Sequence, residues 1–303
     1  MTKKIYRPLR QAGQGRQTRF QVSEPAELMN FLIEKLPHQG RNNIKSLLSH
    51  RQVLVDGQAF SQYNHPLQIG QEVLINWSLV RDEDTIKGLK IIYEDSAIIV
   101  IDKPAGLLSM ASDNEKIFTA YHQLTDYVRL TNPDNRIFIV HRLDRDTSGV
   151  MMFAKNEEVK HILQDAWQEI VVDRAYAAVV EGRVKQKEGT IRSWLKESKT
   201  RLMYSSSQPG DGLEAITNYK VLKAAAEYSL LEIRLETGRK NQIRVHMKEL
   251  GHSIAGDKKY GASSNPLGRL GLHAHILAFY HPLSGELMRF ETEIPKKFSR
   301  LCK

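Results

Sequence analysis

Between two apolar runs, Ile137 to Val140 and Val150 to Ala154, the chain carries nine residues, His141 to Gly149, that include one histidine, two arginines and two aspartates. The apolar runs read as strands buried on both faces. Joining them through a charged loop is a strong constraint. A sheet gains nothing from such charges unless they pair with one another or act on a ligand. The fold must therefore place this loop at the rim of a core, and Asp144 is the candidate for chemistry.

The order His141-Arg-Leu-Asp144, two variable residues, then Thr147-Ser-Gly149 resembles the signature of the RluA-type pseudouridine synthases. Three other stretches are similar to the same family. Lys103-Pro-Ala-Gly106 matches an element that precedes the signature, and we read it as structural support for the neighbouring loop. Arg174-Ala-Tyr176 opens a strand. Gly238-Arg-Lys-Asn-Gln-Ile-Arg-Val-His246 matches a third motif, departing at Asn241, where the family usually has histidine. Gly256-Asp257 to Tyr260-Gly261 also fits and reads as a structural turn.

The resemblance implies an α+β fold for roughly 90–300, a mixed, largely antiparallel bent sheet with the active cleft crossing it. It implies isomerisation of uridine to pseudouridine in RNA. The N-glycosidic bond breaks, the base turns, and carbon bonds to the sugar. Nothing is oxidised or reduced, so no cofactor and no metal is expected. Asp144 would supply the carboxylate, either attacking C1′ or taking the 2′ proton. An aspartate of ordinary pKa, about 4, is ionised at neutral pH. Tyr176 would stack on the target base and serve in proton transfer at C5. Arg244 would be the partner of Asp144, since a guanidinium stays charged and can meet a carboxylate through two parallel bonds. Ile243 would pack under the uracil. Arg142 would help to flip the base out, with a local salt bridge to Asp144 or Asp146 as the competing explanation. Asn241 cannot carry a proton charge, so proton transfer from that position is not expected.

Before residue 90 the pattern changes. Residues 1–20 hold Lys3, Lys4, Arg7, Arg10, Arg16 and Arg19 with no acid, and read as a basic mobile arm. Residues 23–36 predict a helix capped by Ser23, and 42–50 a second, shorter one. Val53-Leu-Val, Asp56-Gly57 and Val73-Leu-Ile are hairpin signals. Two helices followed by a small sheet over 21–77, with Arg41, Lys45 and Arg51 around the second helix, resemble an S4 RNA-binding domain. Such a basic face would offer cations to phosphates with little sequence readout. Residues 78–90 read as a linker and 91–303 as the catalytic domain. There, 157–170 predicts a helix and 174–181, 213–222, 228–236, 272–279 and 286–293 predict strands.

The formal charge of +9 favours polyanionic partners. The single cysteine, Cys302, excludes a disulfide or cysteine metal site within one chain, and His273 and His275 read as sheet residues. No run is long enough for a membrane helix, and no apolar core follows the basic N-terminal residues, so a cytoplasmic monomer is expected. Ribosomal RNA is the preferred substrate and transfer RNA the alternative. A non-catalytic RNA-binding or ribosome-assembly factor on the same fold competes, as does a carboxylate-based glycosidase, which the basic charge argues against.

Overall fold

The computed structural model describes residues 17–37, 39–49, 52–76, 86, 88–112, 115 and 117–303. They divide into two units, one within 1–85 together with 126–135, the other 86–125 with 136–303.

In the first unit, β1 (Gln17–Gln21), β2 (Ala26–Glu27), α1 (Leu28–Lys35), α2 (Arg41–Ser49), β3 (Val53–Val55), β4 (Gln58–Ala59), β5 (Pro66–Leu67) and β6 (Glu72–Asn76) follow in order. The sheet runs β1-β6-β3-β4, and β2 pairs with β5. Asp56 and Gly57 both have positive φ, 47° and 82°, which gives the tight primed turn that joins β3 to β4. Leu28, Phe31, Leu32, Ile44, Leu48, Val53, Val73 and Ile75 close one core. The two helices and then the strands at Val53 and Val73 follow in the order expected, with β1 and β2 ahead of them.

Two expectations need correction here. The arm assigned to 1–20 does not extend through 17–20, because Gln17–Gln21 pairs along β6 and Phe20 packs against the core. The remainder of the arm lies outside the described residues. The first helix begins at Leu28 rather than near Ser23. Its first donors, Leu28 N–H and Met29 N–H, bond to the carbonyls of His65 and Tyr63 at 2.9 Å, so no side-chain cap is needed.

The second unit is built on β7 (Lys90–Glu94), β8 (Ile98–Lys103), β9 (Phe138–Ile139), β10 (Ser148–Ala154), β11 (Val171–Glu181), β12 (Glu188–Glu197), β13 (Met203–Ser206), β14 (Leu213–Ala224), β15 (Tyr228–Leu235), β16 (Leu272–Tyr280) and β17 (Leu287–Glu291). They form one sheet in the order β13-β12-β14-β15-β11-β16-β10-β8-β7, with β17 on β16 and β9 on β10. Its helices are α4 (Glu157–Asp165), α5 (Trp167–Ile170), α6 (Gln242–Glu249) and α7 (Lys296–Leu301), while α3 (Ala120–Arg129) has its first residues in this unit and its last four in the other. Among the strands named here, all pairings are antiparallel except β10 with β16. The fold is therefore α+β with a mixed, largely antiparallel sheet.

That one parallel contact explains Gly149. Its φ is 114°, and a Cβ there would lie 1.9 Å from the Ala274 carbonyl oxygen. Only glycine lets the end of the charged loop reach β16 this closely. The predicted helix over 157–170 is interrupted at Ala166, which leaves the helical region with φ −108° and ψ 27°. Asn156 caps its start by accepting from Val159 N–H at 2.8 Å. Trp167 then turns its ring to His141, 4.9 Å between centroids. No helix among the described residues is long and apolar enough to cross a membrane.

Candidate active site

The charged loop is fastened to the segment after β8. The Lys103 ammonium is fully buried and donates to the carbonyls of Pro104, Leu107 and Arg145 at 2.9, 2.7 and 3.1 Å. Burial pushes its pKa down to about 8. Ser109 Oγ donates to Leu143 O at 2.7 Å and accepts from Leu143 N–H at 3.2 Å. Arg145 turns to the Gly106 carbonyl, 3.2 Å away, rather than to Asp146. The structural reading of Lys103 to Gly106 therefore agrees with the contacts made.

His141 is a structural group. Its Nε2 accepts from Met152 N–H at 3.0 Å, so the ring proton sits on Nδ1. Burial and then the Arg174 charge push its pKa down to about 3, and the ring is neutral at physiological pH.

The loop opens on a cleft lined by Arg142, Asp144, Tyr176, Ile243 and Arg244 among others. All five cleft residues expected from sequence thus share one pocket. Arg142 is exposed and lies against Met110 Sδ at 3.9 Å rather than bonding to Asp144 or Asp146. Tyr176 and Ile243 belong to the same apolar cluster. Desolvation and the nearby Asp144 charge raise the Tyr176 pKa, with Arg174 opposing, so the phenol stays protonated at neutral pH. Arg41 and Lys45 are exposed on α2 of the other unit, and Arg51 lies outside the described residues.

The third motif works as two faces of α6. Gln242 Oε1 accepts from Thr237 Oγ1 and Arg239 N–H at 2.8 and 2.9 Å, while its Nε2 donates to Ile216 O and Thr217 Oγ1 at 3.0 and 2.9 Å. One turn on, His246 joins Ser193 and Thr217 hydroxyls at 2.9 and 2.8 Å, and burial lowers its pKa to about 4. These inward residues fix the helix, which leaves Ile243 and Arg244 to the cleft. Arg174 secures the preceding loop by donating to the Leu235 and Glu236 carbonyls at 3.2 and 2.9 Å. A Cβ on Gly238 would approach Arg174 Nη1 to 2.8 Å.

Arg244 meets Asp144 through one bond, Nη1 to Oδ2 at 3.2 Å. The expected two-bond partner is a different residue. Arg244 Nε and Nη2 donate to Asp257 Oδ2 and Oδ1 at 2.7 and 2.8 Å. Asp257, read from sequence as part of a turn, is thus the residue that sequence reasoning missed. The Tyr260 ring lies under the guanidinium, 4.8 Å from centroid to Cζ. Burial works against the Arg244 charge, but the bonds and charge of Asp257, then Asp144, raise its pKa further. The outcome is a permanent cation clamped on one side that offers Nη1 to Asp144.

Asn241 completes the clamp. Its φ is 55°, a left-handed conformation that asparagine tolerates better than most residues. Its Oδ1 accepts from Arg244 Nη1 at 3.2 Å and its Nδ2 donates to Tyr260 Oη at 2.9 Å. Asn241→Gly keeps the backbone geometry and removes both bonds. We expect it to lower unfolding free energy by about 1–3 kcal/mol in a denaturant titration. An unchanged midpoint would show that the two bonds contribute nothing to the clamp.

A family model described as RNA pseudouridylate synthase matches residues 97–249. The chain is 38% identical over 215 residues to the uncharacterised RNA pseudouridine synthase YjbO of Bacillus subtilis (strain 168), covering 71% of this chain and 76% of that one. It is 30% identical to the uncharacterised RNA pseudouridine synthase YhcT of the same organism, covering 97% and 99%. It is 32% identical to the ribosomal large subunit pseudouridine synthase D of Escherichia coli O6:H1, covering 89% and 87%. Among solved structures, human RNA pseudouridylate synthase domain containing 1 matches with a TM-score of 0.55 and 26% identity, over 69% of this chain and 85% of that one.

Proposed function

Since the chain belongs to the RNA pseudouridylate synthase family, we propose that it isomerises specific uridines of ribosomal RNA, with Asp144 as the reacting carboxylate. The observation that carries this reading is the Asp144–Arg244 contact of 3.2 Å in a cleft that also holds Tyr176 and Ile243.

The chemistry asks little beyond these groups. The N1–C1′ bond breaks, the uracil rotates, C5 bonds to C1′, and the C5 proton is removed while N1 gains one. Atoms and electrons balance within the substrate. Arg244 holds Asp144 aimed through the bond from Nη1. Ile243 gives the freed base an apolar floor, and the neutral Tyr176 ring stacks on it, its phenol beside the C5 proton. Arg142, exposed at the rim, fills the space left by the flipped uridine. Residues 91–303 act as the catalytic domain. Residues 21–77, with Arg41, Lys45 and Arg51, add phosphate affinity in the manner of an S4-like domain. The preference for ribosomal RNA draws on the similarity to the large-subunit enzyme. We place the protein in the cytoplasm as a monomer.

Pseudouridine mapping across total RNA from cells lacking this protein tests the proposal. One or a few ribosomal sites should vanish, and wild type but not Asp144→Ala should restore them. Loss of transfer RNA sites instead would move the substrate class. Restoration by Asp144→Ala would make the chain an RNA-binding factor rather than an enzyme.

A further inference from the structure

We propose that Lys199 in the hairpin tip at 198–202 and the Lys258-Lys259 turn form a phosphate-binding rim of the catalytic unit, which holds the RNA backbone beside the flipped uridine. The inference rests on the function proposed above and assigns RNA affinity to residues of the catalytic unit.

The rim is continuous with the cleft. Arg239 and Asn241 line the pocket, and Lys240 between them pairs with Glu197 at the end of β12. Lys259 Nζ donates to the Arg201 carbonyl at 3.3 Å and lies 5.9 Å from the Tyr260 ring, the ring that supports Arg244. The hairpin tip is therefore tied to the same wall that positions the clamp. Its turn is defined by Ser198 N–H to Leu202 O at 2.8 Å and Arg201 N–H to Ser198 O at 2.9 Å.

Charge decides what this rim fits. Lys196 is neutralised by Asp211 at 2.5 Å and Lys240 by Glu197. Lys240, Arg201 and Lys259 together hold the Glu197 pKa below its ordinary value, the Lys240 hydrogen bond most of all. Lys199, Lys258 and Lys259 are exposed, and among the described residues none of the three has a carboxylate within ion-pair distance. Three lysines with no carboxylate within ion-pair distance, beside the cleft, suit the phosphates on either side of a uridine held there. Each phosphate neutralised also releases counterions, so the contacts register as salt dependence.

The test compares two triple variants of the full chain. Lys199→Gln/Lys258→Gln/Lys259→Gln removes the rim. Lys187→Gln/Lys220→Gln/Lys223→Gln removes the same charge around the far end of β14, away from Glu214. The probe is a labelled transcript of the ribosomal segment whose pseudouridine is lost in cells lacking the protein. For the rim variant we expect Kd at 0.1 M salt to rise roughly tenfold or more, and the slope of log K against log salt to flatten by about 2–3. The β14 variant should keep the wild-type slope to within about one unit, one phosphate contact's worth. Wild-type slope in the rim variant, or equal losses in both, would overturn the proposal while leaving the enzyme reading intact. If wild type neither binds nor modifies the transcript, the functional reading itself fails.

Discussion

Asp144→Asn lowers kcat for pseudouridine formation by about 10²–10⁴-fold and leaves the fold intact. The substitution keeps the shape of the side chain and removes its charge, so neither attack at C1′ nor removal of the 2′ proton is open to it. Stability should barely respond. Asp144 makes one bond of 3.2 Å to Arg244, and its side chain is 28% exposed, whereas Arg244 keeps both bonds to Asp257. A partly exposed single contact of this kind contributes about 0–1 kcal/mol. Release of tritium from C5-labelled uridine in RNA gives the rate, and thermal unfolding gives the stability. If the variant keeps activity within tenfold of wild type, Asp144 is not the reacting carboxylate. If it unfolds instead, Asp144 is part of the clamp that holds Arg244, and the claim that its contact carries little stability fails.

The sequence exposed Asp144 because its surroundings are incongruous, with two aspartates and two arginines set between the apolar runs of β9 and β10, the first half-buried and the second fully buried. Arg244, Ile243 and Tyr176 were legible for a related reason, each lying in a short run of specified residue types. Asp257 lies in a matching stretch as well, but one that reads only as a turn. Gly256-Asp257 has the composition of many turns, and its meaning comes from the approach of that turn to α6, which spacing along the chain does not encode. The same is true of Arg244's partner. Sequence points to a two-bond pair with Asp144, but the planar fork is already filled by Asp257, so Asp144 receives the remaining Nη1.

Secondary structure divides along similar lines. The strands β10, β11 and β16 have buried apolar runs that announce them. β12 does not, since Glu188, Thr190 and Arg192 are exposed or half-covered and only Ser193 and Leu195 are buried. The start of α1 was misplaced because its first donors are satisfied by carbonyls of His65 and Tyr63, more than thirty residues on.

Asp257→Ala should cost more stability than any change to Asp144. The Asp257 side chain is 1% exposed and that of Arg244 15%. Removing the carboxylate leaves a buried guanidinium with Asp144 and Asn241 at 3.2 Å and no two-bond partner. Breaking a buried pair from one side costs about 3–5 kcal/mol, since the remaining charge is desolvated without compensation. For a unit of this size that is a fall in Tm of roughly 6–20 °C. Activity should fall as well, because Nη1 no longer has a fixed direction toward Asp144. The decisive comparison is with Asp257→Ala/Arg244→Met. If the cost is a stranded cation, removing the cation as well restores part of the stability, and the double variant melts above the single one while remaining inactive. A double variant that lies below wild type by the sum of the Asp257→Ala and Arg244→Met losses would show that the residues act independently and that Asp257 does not hold Arg244 in place.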